Sequence, residues 1–157
     1  MRHHYPTIIW GFIAEVVLTA LIYYLIDLRY GIDTAARWVN NTAHTWLFLV
    51  GTFWAFSGQL FVIFINMLKT DFGHWLSWRQ AEGVYKTALV LSMIVQFSAA
   101  AILIFAGSTK NETVGRVALA LLILAPLNMW TLGKNVLDLV GLHREFDQNV
   151  SGGDRSR

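Results

Sequence analysis

TALVLSMIVQFSAAAILIFAG, residues Thr87–Gly107, runs for 21 residues without an Asp, Glu, Lys or Arg. The hydrocarbon core of a bilayer is about 30 Å thick and takes about 20 helical residues to cross. Three further stretches have the same character: Ile8–Leu28, Thr45–Leu68 and Val117–Gly133. Only the first of these carries charge, at Glu15 and Asp27. Backbone polar groups inside lipid are satisfied only within helices or in a closed barrel. The chain therefore reads as an all-α integral membrane protein, a four-transmembrane-helix bundle. Its expected spans lie at about 8–28, 45–68, 84–107 and 113–134, in one domain over 1–142. A polar tail over 143–157, ending Ser151-Gly152-Gly153-Asp154-Arg155-Ser156-Arg157, reads as disordered and cytoplasmic.

Composition agrees and narrows the function classes. Charged residues are 14% of the chain, against about 25% in an average soluble domain. A soluble protein this small lacks the surface to hide four apolar helices. Any function must sit inside the bundle, at its two faces or on a partner, because the joints leave no room for an aqueous domain. The absence of Cys removes disulfides, thiolate nucleophiles and Cys-ligated metals. A net charge of +2 with no dense basic run argues against nucleic acid as a partner. No GxSxG, P-loop, HExxH or paired-carboxylate pattern occurs, so an enzyme acting alone is not expected.

Lys and Arg accumulate on the cytoplasmic side of membrane proteins. One face would hold Arg2, Lys69, Arg79, Lys86, Lys134, Arg144, Arg155 and Arg157, and the other Arg29, Arg37, Lys110 and Arg116. That bias predicts both termini in the cytoplasm. The expected location is a prokaryotic plasma (inner) membrane. The apolar N-terminal segment lacks a small-residue cleavage site and is expected to be retained as the first span. Within the joints, Ser77-Trp78-Arg79-Gln80 and Thr109-Lys110-Asn111-Glu112 match capping boxes and predict early starts for the third and fourth helices. Phe72, Trp75 and Trp78 suggest a short interfacial segment with aromatics on one side.

The chemistry lies in the polar residues within the spans. Glu15 stands about two turns into the first span. Thr45, Thr52, Gln59 and Asn66 recur every seven residues in the second and share one helical stripe. Ser92 and Gln96 share a face of the third. Asn128 and Asn135 share a face of the fourth, just past Pro126. Counting at 1.5 Å per residue brings Glu15, Gln59, Ser92 and Asn128 to a common depth, with Gln96 nearer the midplane. Asn, Gln, Ser and Thr commonly serve as packing glue across membrane helices. A carboxylate is a poor choice for glue and commonly pairs, faces the interior or marks an ion path. Neutral Glu15 would donate a hydrogen bond to Gln59 or Asn128; ionised, it would pair with Lys134 or with a basic group on another subunit.

No cofactor is indicated. No span core holds a His, so an intramembrane bis-His haem is not expected, and the spacing of His3, His4, His74 and His143 shows no ligand motif. The leading reading is a non-catalytic accessory or assembly subunit of a larger membrane complex, in contact with the bilayer and with other membrane subunits. The alternative is a homo-oligomeric proton- or cation-coupled transporter or channel using Glu15, Gln59, Ser92, Gln96 and Asn128. A third is a redox subunit binding a quinone or cofactor near Trp54, Phe56 and Trp130.

Overall fold

A computed structural model describes the backbone of residues 4–153 and the side chains of residues 10–148. The described residues form five helices: α1 (His4–Tyr30), α2 (Ile32–Met67), α3 (Asp71–Trp78), α4 (Glu82–Thr109) and α5 (Glu112–Gly153). No strand occurs among them. α1, α2, α4 and α5 are long and apolar enough to cross a membrane, and they correspond to the four stretches read from the sequence.

The joints differ most from expectation. In place of a long joint after Leu28, a single residue separates α1 from α2. Gly31 adopts φ +75°, a left-handed backbone that glycine enters without a steric penalty. The side chain of Asp27 then accepts a hydrogen bond from the Ile32 amide at 2.9 Å. Residues 32–44 are helical because Ala36, Val39, Asn40 and Ala43 are buried, giving that part of the helix a packing face. At 36 residues, α2 is roughly 54 Å long, well beyond the hydrocarbon thickness.

The expected capping boxes are displaced. Ser77–Gln80 forms the close of α3, and Gln80 at φ +57° breaks the chain before α4 begins at Glu82. Lys110 at φ +53° ends α4. Asn111 then caps α5, its Oδ1 accepting from the amides of Thr113 at 2.8 Å and Val114 at 3.3 Å. α5 continues through Gly153, so a helix occupies much of the stretch expected to be a disordered tail. Its continuation packs Leu139, Leu142 and Phe146 into the cluster around Phe72, Leu76 and Trp75. Arg79 Nη2 donates to Glu145 Oε1 at 2.8 Å beside it. Trp78 is exposed and does not share the buried side of α3 with Phe72. Residues 154–157 lie outside the described residues.

α2, α4 and α5 pack mutually, while α1 lies mainly against α5. Two apolar clusters result. The one near the α4–α5 turn is rich in small side chains, among them Ala43, Ala99, Ala106, Ala118 and Ala125. Small residues let helix backbones approach closely, where dispersion and packing hold helices together in lipid. At its rim a Cβ on Gly115 would lie 2.8 Å from the Ala36 carbonyl oxygen, so α5 crosses α2 only where a side chain is missing. The second cluster, near α3, uses larger groups such as Phe64, Phe72, Leu76 and Leu132. Polar side chains lie between the two.

Candidate functional site

α1 is built inside out relative to a soluble helix. Among the described residues its buried side chains are Glu15 and Thr19, four residues apart on one face, whereas Trp10, Val17, Leu21 and Leu25 are exposed. In lipid that arrangement is favourable, since apolar groups meet hydrocarbon and polar groups meet the bundle. Gly11 lies one turn before Glu15 and faces Thr131, where a Cβ would sit 3.8 Å from the threonine methyl. The helix can therefore approach α5 closely and deliver its carboxyl group to Asn128.

The centre of the site is that contact. Asn128 Nδ2 donates to Glu15 Oε2 at 3.0 Å, and the two residues are 5% and 6% exposed. A cavity of about 40 Å³ opens beside them between α1, α4 and α5, with polar lining from Glu15, Ser92, Asn128, Thr131 and Asn135. Such a volume exceeds the roughly 10–15 Å³ that one water centre requires. Asn128 Oδ1 is buried and has no hydrogen-bond partner among the described residues. No basic side chain pairs with Glu15 among the described residues. Lys134, which the sequence offers as a partner, is exposed and holds its ammonium 5.7 Å from the centre of the Trp130 ring.

The other predicted site residues divide into two groups. Ser92 is buried and its Oγ lies 3.4 Å from Ser57 Oγ. Gln96 is fully buried, and its Nε2 donates to the Ala125 carbonyl at 3.0 Å, immediately before Pro126. Gln96 thus ties α4 to α5 and is not part of the cavity lining. Gln59 does not join the layer. It lies on the outside of α2 with Thr45, Thr52 and Asn66, all exposed or partly so. α2 contributes Ser57 instead, two residues away and about 200° around the helix at 100° per residue.

Ser57 belongs to a different seven-residue repeat. Ala36, Ala43, Val50, Ser57 and Phe64 are each seven apart, and all are buried. Thr19 carries a simpler signal, since its place one turn from Glu15 marks the same face. Trp54, Phe56 and Trp130, expected as lining for a cofactor pocket, are exposed on the outside of the bundle. His143 packs against Phe72 with ring centroids 4.6 Å apart and the rings tilted by 59°, and its Nδ1 lies 3.3 Å from Asp147. Compared with protein-family models, with curated proteins and with solved structures, the chain matches none.

Proposed function

We propose that the chain is a non-catalytic assembly subunit of a larger membrane complex, docking on a neighbouring membrane protein through the outer face of α2. The observation that carries this reading is the outward position of Gln59. It stands nine residues before Leu68, roughly 13 Å along the helix, too deep for its short side chain to reach water. Lipid tails offer an amide no hydrogen bond, and an unsatisfied polar group there costs on the order of several kcal/mol. A polar group on a partner helix removes that penalty.

The surroundings suit helix docking. Gly51 and Gly58 face open space where a Cβ would meet nothing within 4 Å, and Ala55 between them is exposed. Small residues at this spacing allow a partner backbone to approach closely. Trp54, Phe61 and Val62 wall the groove that Ala55, Gly58 and Gln59 also line. The charge bias of the joints supports an orientation with both termini cytoplasmic, and we assign the chain to a prokaryotic plasma membrane.

Native mass spectrometry after gentle extraction from the source membrane tests the assembly role. Stoichiometric foreign subunits are expected with the unaltered chain and are lost with Gln59→Leu, while the variant remains folded and inserted. A homo-oligomer without foreign subunits sinks the reading. Orientation has its own assay, which the absence of native Cys makes clean. An impermeant thiol reagent is expected to label Ser108→Cys in intact cells, and Ser77→Cys only after permeabilisation.

A further inference from the structure

We infer that the cavity beside Glu15 is a binding site for one small monovalent cation of the sodium class. Two independent features point there: a buried carboxyl group without a basic partner among the described residues, and a buried amide oxygen without a donor. The inference does not depend on what docks against α2.

Glu15 sets the charge of the ligand. An ionised carboxylate out of water is strongly unfavourable unless an opposite charge or a proton neutralises it. Lys134 is turned away onto Trp130, so the protein supplies no cation from that side chain. One carboxylate balances one positive charge. A divalent ion would leave a net charge between apolar clusters, and magnesium would also have to give up water that it releases reluctantly.

The remaining polar groups set the ligand's chemical class. The amide of Asn128 turns its Nδ2 to Glu15, which leaves Oδ1 as an acceptor. Ser92 and Thr131 add hydroxyl oxygens to the lining. Among the groups named, the available acceptors are oxygens, which suit hard cations rather than soft metals. The cavity of about 40 Å³ has room for an ion with a water. A proton on Glu15 would also remove the charge, but Asn128 Oδ1 would then depend on a water in the cavity for its donor. A bound cation satisfies both groups together.

The test uses the full chain in lipid nanodiscs, with ionic strength held constant by choline chloride. Radioactive sodium binding is expected to saturate near one ion per chain and to be competed by lithium more strongly than by potassium. The thermal midpoint should rise by about 5–10 °C at sodium one hundred times its dissociation constant. Glu15→Gln and Asn128→Leu should abolish both responses, whereas Gln59→Leu retains them. No saturable sodium binding by the unaltered chain overturns the inference, whatever the variants do. So does sodium binding that survives Glu15→Gln, or a midpoint that responds to pH and not to sodium.

Discussion

At the scale of single residues, two places carry most of the specificity, the Asn128–Glu15 pair and Gly115. Asn128 and Glu15 are joined by one hydrogen bond in a setting with no bulk water to replace it. Removing one partner strands the other, at a cost of about 1–3 kcal/mol. Asn128→Leu is therefore expected to lower stability by that amount, read from unfolding in bicelles without sodium. Glu15→Gln keeps the shape and an oxygen for Asn128 Nδ2, so its loss under the same conditions should stay under about 1 kcal/mol. Gly115 is the second position. Adding a methyl group 2.8 Å from the Ala36 carbonyl forces the α2–α5 crossing apart, and Gly115→Ala should destabilise by about 1–3 kcal/mol. Gly141, whose Cβ would meet nothing within 4 Å, is the control. Gly141→Ala should be neutral or stabilise by up to about 1 kcal/mol through helix propensity.

At the scale of elements, α2 shows how one helix can hold two stripes with the same period. Ala36, Ala43, Val50, Ser57 and Phe64 face the bundle, while Thr45, Thr52, Gln59 and Asn66 face away. In water the more polar stripe would be the outer one by default. In lipid the expectation reverses for isolated polar groups, which is why the sequence points Gln59 inward. Three of the four outer residues have local ways of reducing the penalty: Thr52 donates to the Phe48 carbonyl, Asn66 accepts from Lys69, and Thr45 is near the end of its apolar stretch. Gln59 has no such local relief. The two stripes should respond differently to substitution. Ser57→Leu is expected to disrupt the monomer by overpacking against Ser92 and Met129, with which Ser57 is in contact. Gln59→Leu should leave the unfolding of the isolated chain unchanged or slightly improved, and affect only its assemblies.

At the scale of the molecule, the bundle is closed at each end by different chemistry. Near the α4–α5 turn, Asp33 pairs with Arg116, and Lys110 donates to the Asn40 carbonyl. Near α3, Phe72, Trp75, His143 and Phe146 form an aromatic cluster, with Arg79 lying 4.2 Å over Trp75. Exposed ion pairs contribute about 0–1 kcal/mol, so at the α3 end the aromatic packing stabilises more than the Arg79–Glu145 pair does. Deleting residues 143–157 should loosen α3 while leaving the spans intact. Hydrogen exchange would then quicken in residues 71–78 and remain slow in residues 88–106; unchanged exchange in α3 would show that the α5 extension does not hold it.

Four long apolar helices were legible in the sequence, because crossing hydrocarbon demands a long run nearly free of charge and the chain holds four such runs. The polar residues were legible as a set for the same reason, each being an exception within such a run. Glu15, Ser92, Gln96 and Asn128 are all buried, as their chemistry suggested. Which way each one faces was not legible. A period of seven groups residues onto a stripe but carries no information about the direction of that stripe, and only the close packing of α2 against α4 and α5 turned Ser57 inward and Gln59 out. The helix ends were decided in the same way. Residues 32–44 and 143–153 lack a long apolar run, and they are helical in the folded chain because neighbouring elements present surfaces for Ala36, Val39 and Phe146 to cover. Burial against lipid can be read from composition, whereas burial against protein depends on which partner surface is there to receive the side chain.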